Sequence, residues 1–146
     1  MNRLTILFLL LTATFLAMTP QVQSAFASDA KSTALLQGKW DIVKKPVDKS
    51  GNPCPYIPDA IEFFKDGTLE MSNMPNMHMP FKTDLTSDEK QALEKNPRFQ
   101  GKKLLLVKPN PQMDWKATPM VYIYEVSKNQ LSLTVQGYEK ATFKKK

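Results

Sequence analysis

The chain has 146 residues with a formal net charge of +6, and it holds 11 prolines, 5 glycines, 8 methionines, one histidine and one cysteine. The positive excess is lysine, since Arg98 is the only arginine beyond Arg3; without arginine forks to read bases and phosphates, nucleic-acid recognition is disfavoured. A single cysteine forms no internal disulfide, so stability rests on packing.

The first 27 residues read as an export signal. Met1-Asn2-Arg3 carries a positive charge, Leu4 to Met18 is almost wholly apolar, and Ala25-Phe26-Ala27 places small residues where a signal peptidase reads. The apolar run is shorter than the roughly 20 residues of a spanning helix, and no later segment is long or apolar enough to cross a bilayer. No cysteine directly follows the run, so the usual lipoprotein acylation site is missing. Cleavage after Ala27 leaves residues 28–146 as one domain, exported to a periplasm or beyond the cell.

Ser32 to Gln37 reads as a short helical lead-in. Gly38-Lys39-Trp40-Asp41-Ile42-Val43 then alternates, with Trp40 and Ile42 on one face of a strand. A proline- and glycine-rich loop runs from Pro46 to Pro58. Ile61-Glu62-Phe63-Phe64 and Thr68-Leu69-Glu70-Met71 flank Lys65-Asp66-Gly67, and Asp-Gly between apolar runs is a strong hairpin signal. The methionine-rich residues that follow hold Pro75 and Pro80, which exclude a regular helix. Thr86-Ser87-Asp88-Glu89 opens a helix through a capping box, and Pro97 stops it by Asn96. Lys103 to Lys108 suits a strand. A second proline-rich loop (Pro109, Pro111, Pro119) carries Met113 and Trp115, and Met120–Val126 and Gln130–Gln136 form a hairpin around Lys128-Asn129. Tyr138 to Lys144 closes the chain as a last strand, and Lys144-Lys145-Lys146 reads as a solvated end, with an anionic-surface role as the alternative.

Seven or so short strands with one brief helix predict a mainly β, antiparallel domain that curls into a partly or fully closed small barrel to hide its edges. The ordered set Leu36-Gln37-Gly38-Lys39-Trp40, Ile61-Glu62-Phe63 with Asp66-Gly67-Thr68, and Tyr122-Ile123-Tyr124 leading to Leu131-Ser132-Leu133 resembles the small bacterial lipocalin-like domains of the calycin group. That resemblance implies a small β-barrel with a ligand at its open end. It also implies a basic side chain near the end of the last strand over the tryptophan, a place for Lys144 or Lys145. Relative to that pattern, the methionine-rich stretch and the helix from Thr86 read as insertions.

Candidate chemistry is sparse. No Gly-x-Ser-x-Gly occurs, and the one pair available to a cysteine hydrolase is Cys54 with His78. Cys54 lies between two prolines with no helix start to activate it, so the reading is non-enzymatic. As a small apolar residue Cys54 can pack, or it can bridge to a second chain. Met71, Met74, Met77, His78 and Met79 fall close together and admit three readings. Unbranched, polarizable side chains pack irregular space, or form a lid that touches an apolar ligand. Thioethers are also soft ligands for Cu(I) or Ag(I), and Met77-His78-Met79 resembles the Met-x-Met plus His and Trp set of periplasmic copper-efflux chaperones. In a flat strand Met71, Met77 and Met79 share one side, with Met74 and His78 on the other. A turn at Asn73, Pro75 or Asn76 is needed to gather three ligands. The leading expectation is a small, apolar ligand met by Phe64, Met71, Met113 and Trp115. The alternative is a Cu(I) site on Met74, Met77, His78 and Met79.

Overall fold

The computed structural model describes residues 31–112, 115 and 119–146. The proposed export signal, and Met113 of the proposed ligand set, lie outside the described residues. Eight strands follow one another around a closed antiparallel barrel, each hydrogen-bonded to the next and the last to the first. They are β1 (Gly38–Lys44), β2 (Ala60–Phe63), β3 (Thr68–Met71), β4 (Met74–Lys82), β5 (Leu104–Val107), β6 (Met120–Val126), β7 (Gln130–Thr134) and β8 (Ala141–Lys145). Closure removes the unpaired edges that short strands of this kind otherwise expose.

The two-residue side-chain period fills the interior. Ile61 and Phe63 of β2, Leu69 and Met71 of β3, Met79 and Phe81 of β4, Tyr122 and Tyr124 of β6, and Leu131 and Leu133 of β7 all belong to one buried cluster. Phe63 and Phe81 meet edge to face, with ring centroids 5.1 Å apart, an arrangement the ring quadrupole favours. Leu105 and Val107 of β5 join the same cluster. Leu104 and Leu106 are as deeply buried yet lie outside it, on the barrel's outer face. This strand is therefore covered on both sides.

Alternating strand direction defines two ends. At one end, residues 31–36 are helical (α1) and drop Leu36, wholly buried, beneath Trp40. The Trp40 indole Nε1 donates to the Leu36 carbonyl at 2.7 Å. Lys145 Nζ sits 5.0 Å above the ring and donates to the Leu35 carbonyl at 3.2 Å. The Lys145 stem crosses Gly38, where φ is +107° and an added Cβ would stand 3.2 Å from Lys145 Cε; only glycine is at ease there. The basic residue expected over the tryptophan is thus Lys145, and the lysine end is part of β8 rather than a free tail. Ser32 accepts from Lys103 Nζ at 2.9 Å, and the hydroxyls of Thr33 and Thr83 pair at 2.8 Å, which anchors α1.

At the other end, the loop 45–59 folds inward. Cys54 and Ile57 are 1% and 2% exposed and belong to the core cluster. The loop is fixed by Cys54 N–H to the Pro46 carbonyl and by Glu139 N–H to the Val47 carbonyl, both at 3.0 Å. The Tyr122 hydroxyl donates to the Tyr56 carbonyl. Apolar side chains therefore stop the barrel at both ends.

The methionine-rich stretch is not an inserted loop. It is β4, the longest strand, and its proline positions explain why the sequence hides it. Pro80 lacks an N–H, but the ladder asks only for its carbonyl, which accepts from Lys108 N–H at 2.9 Å, while Phe81 N–H donates to Gly67. The register against β3 jumps from Leu69↔Met79 to Met71↔Met74. A bulge absorbs the difference, and Asn76 within it takes φ +64°, a left-handed conformation that asparagine tolerates. The last strand begins at Ala141 rather than Tyr138, because the chain turns at Gly137.

Candidate functional site

Between β4 and β5 lies the 83–103 segment, whose helix α2 (Ser87–Glu94) has the capping box read from sequence. Thr86 Oγ1 accepts from Glu89 N–H at 3.2 Å, and Glu89 returns a carboxylate oxygen to Thr86 N–H at 3.0 Å. No residue of α2 is buried. Polar contacts hold it instead: Lys82, at the end of β4, donates to Glu89. That hydrogen bond, then the Thr86 N–H, keeps the Glu89 carboxyl below its ordinary range.

The helix does not lie flat on the barrel. A cleft of about 410 Å³ opens between them, lined by Asp88, Glu89, Ala92 and Leu93 of α2, by Leu106 on the outer face of β5, and by Trp115 and Pro119 of the following loop. This volume falls in the roughly 300–1,000 Å³ range of small-molecule sites. Its walls are more apolar than those of the clefts beside Cys54 or beside Asp48 and Tyr138. Trp115 is only partly buried, and two ammonium groups approach its ring: Lys82 Nζ at 4.7 Å and Lys108 Nζ at 4.6 Å from the centroid. The cleft adjoins the short β4–β5 ladder, in which Phe81 pairs with Val107 and Lys82 with Leu106.

Of the residues expected to meet an apolar ligand, the three that are described, Phe64, Met71 and Trp115, do not share one cavity. Met71 is 1% exposed in the core. Phe64 is on the outer wall, stacked on His78 with centroids 4.8 Å apart and planes 19° from parallel. Among the described residues of that set, Trp115 alone lines the cleft. The proposed copper ligands are divided by the barrel wall. Met79 is fully buried in the core and Met74 packs partly against it, whereas Met77 is exposed. His78 faces outward, its Nε2 3.5 Å from Glu70. Met79 and His78 therefore do not converge on one point. Met79 and Met71 act as core fillers, and the barrel end is covered by the 45–59 loop rather than by methionines. Cys54 lies in the core and His78 on the outer surface, so the two do not form a nucleophile–base pair.

Lys82, Lys108, Leu93 and Leu106 escaped the reading from sequence. For Leu106 one signal existed. Leu104-Leu105-Leu106-Val107 is apolar without alternation, which in an antiparallel sheet marks a strand covered on its outer side as well. The Tyr122 hydroxyl, buried beneath the 45–59 loop, is pushed well above the ordinary phenol value by desolvation and holds its proton as a donor.

Compared with known families, characterised proteins and solved structures, the chain matches none. Among the described residues no helix is long and apolar enough to cross a membrane.

Proposed function

We propose that the protein is an exported, non-enzymatic binding module for a small apolar ligand, with its site in the cleft between α2, β5 and Trp115. The observation that carries this reading is the placement of Trp115. A large aromatic side chain stands half-buried outside a closed barrel, facing Leu106 and Leu93 across an apolar cleft. Trp40, by contrast, is wholly buried in the core. Aromatic and aliphatic walls with a few polar groups at one rim are the usual make-up of a ligand site. The closed eight-stranded topology and the Lys145 ammonium over Trp40 support the lipocalin-like resemblance. Eight strands enclose an interior that side chains fill or that holds one small ligand. Here Leu36 closes one end and Ile57 the other, which favours the outer cleft.

The test is displacement of a neutral fluorescent probe, N-phenyl-1-naphthylamine, from purified protein. Saturable binding is expected for the wild type, and Trp115→Ala and Leu106→Asp should each abolish it. Binding unchanged in both variants, or absent in the wild type, would overturn the reading.

A further inference from the structure

This lysine-rich chain uses arginine only at Arg3 and Arg98, and Arg98 stands on a second cleft. The 3₁₀ turn Pro97–Phe99 carries it, fixed by Arg98 N–H donating to Asn96 Oδ1 at 3.1 Å. The cleft has a volume of about 480 Å³ and is lined by residues 47–49, Arg98 and residues 134–139. It shares no lining residue with the cleft beside Trp115.

Four charged side chains line it, and they differ in what they already hold. Asp48 accepts on one oxygen from Ser50 N–H at 2.8 Å and Asn52 N–H at 2.9 Å, and on the other from Asn52 Nδ2 at 3.1 Å. These bonds, those from Asn52 first, hold its carboxyl below the ordinary range. Glu139 is paired with Lys44 at 3.0 Å. Both carboxylates are therefore committed. Arg98 and Lys49 have no ion pair and no side-chain hydrogen bond among the described residues. The Arg98 guanidinium is half-buried against the Phe99 ring, 5.7 Å from its centre. A planar guanidinium fork matches two oxygens of one anion, whereas an ammonium acts as a point charge. The other walls include Val47, Val135 and Tyr138.

We propose that this cleft is a second binding site, independent of the one beside Trp115, for a small organic phosphate. The Arg98 fork takes two phosphoryl oxygens, and Lys49 balances the second charge. A phosphomonoester carries about −1.5 to −2 at pH 7, which two uncommitted cations match better than they match a single carboxylate. The organic part lies against Val47, Val135 and Tyr138.

The experiment is isothermal titration of the purified protein with phenyl phosphate, benzoate, phenol and inorganic phosphate. Phenyl phosphate should bind tightest in wild type, ahead of benzoate by about three-fold and of phenol by about ten-fold or more. Arg98→Gln should weaken phenyl phosphate about ten-fold. Arg98→Lys, which keeps the charge and loses the fork, should weaken it about five-fold, and Lys49→Gln about three-fold. Both conservative variants should unfold at the wild-type temperature, which separates lost binding from lost folding. Lys128→Gln, on the turn between β6 and β7, should bind as wild type does, and phenyl phosphate should not displace N-phenyl-1-naphthylamine. No binding of phenyl phosphate, or an Arg98→Lys variant that binds it as wild type does, would overturn the site. Benzoate or inorganic phosphate binding as tightly as phenyl phosphate would overturn the ligand class.

Discussion

Replacing Lys145 by methionine tests how the barrel is shut. Lys145 is half-buried, its Nζ 5.0 Å from the Trp40 ring centre and 3.2 Å from the Leu35 carbonyl. Methionine keeps most of the aliphatic stem that crosses Gly38 but removes the charge and the donor. A cation over an indole contributes about 0.5–2 kcal/mol depending on desolvation, and a hydrogen bond from a charged donor about 1.5–3 kcal/mol. The two share one ammonium group and are not additive, and partial exposure weakens both. A loss of about 2 kcal/mol is expected, which for a domain of this size lowers Tm by roughly 8 °C. The comparison is Lys146→Met. Lys146 pairs with Asp41 at 3.7 Å while 65% exposed, so its loss should cost within about 0.5 kcal/mol. Urea unfolding followed by far-ultraviolet circular dichroism measures both variants on one scale. The reasoning fails if Lys145→Met and Lys146→Met come out equal, or if Lys145→Met changes the slope of unfolding as well as its midpoint.

Gly38→Ala should destabilise by about 1–3 kcal/mol, because φ +107° is costly for any side chain and the new Cβ meets Lys145 Cε at 3.2 Å; thermal unfolding checks it, and a neutral result would refute the close approach. The α2 helix should loosen in acid. Glu89 titrates below its unfolded value near 4.5, chiefly because of Lys82, so the pair favours the docked helix at higher pH and releases it as pH falls through the folded value. Trp115 emission should shift to the red over that range in wild type and lose this dependence in Lys82→Met. Met77→Leu/Met79→Leu should leave a Cu(I) competition titration unchanged, since Met79 is in the core and His78 is outside it; copper binding that disappears with these sulfurs would contradict the placement.

The architecture was largely legible because its signals are local. The Lys65-Asp66-Gly67 turn sits where Asp66 accepts from the Thr68 N–H and hydroxyl. The Thr86–Glu89 capping box forms as read, and the apolar alternation in β7 gives its two inward leucines. Strand β4 was missed because proline is a good sign against a central strand, and here the ladder uses only the Pro80 carbonyl. The site was poorly legible for a different reason. Met71 and His78 are near neighbours in sequence but lie on opposite sides of the barrel wall, one in the core and one stacked on Phe64. Trp115 meets Lys82 across a helix and a strand, a contact that chain spacing does not encode.

The two tryptophans permit a direct test of where the ligand binds. Trp40 Nε1 is hydrogen-bonded inside the barrel to Leu36, while Trp115 lines the outer cleft, so each indole N–H reports on one candidate site. A titration of isotope-labelled protein with N-phenyl-1-naphthylamine, read in a proton–nitrogen correlation spectrum, should move the Trp115 indole signal together with the Leu93 and Leu106 amides. The Trp40 indole should stay fixed. Movement of Trp40 with the core amides of β7 and β8, and a stationary Trp115, would place the ligand inside the barrel and contradict the account.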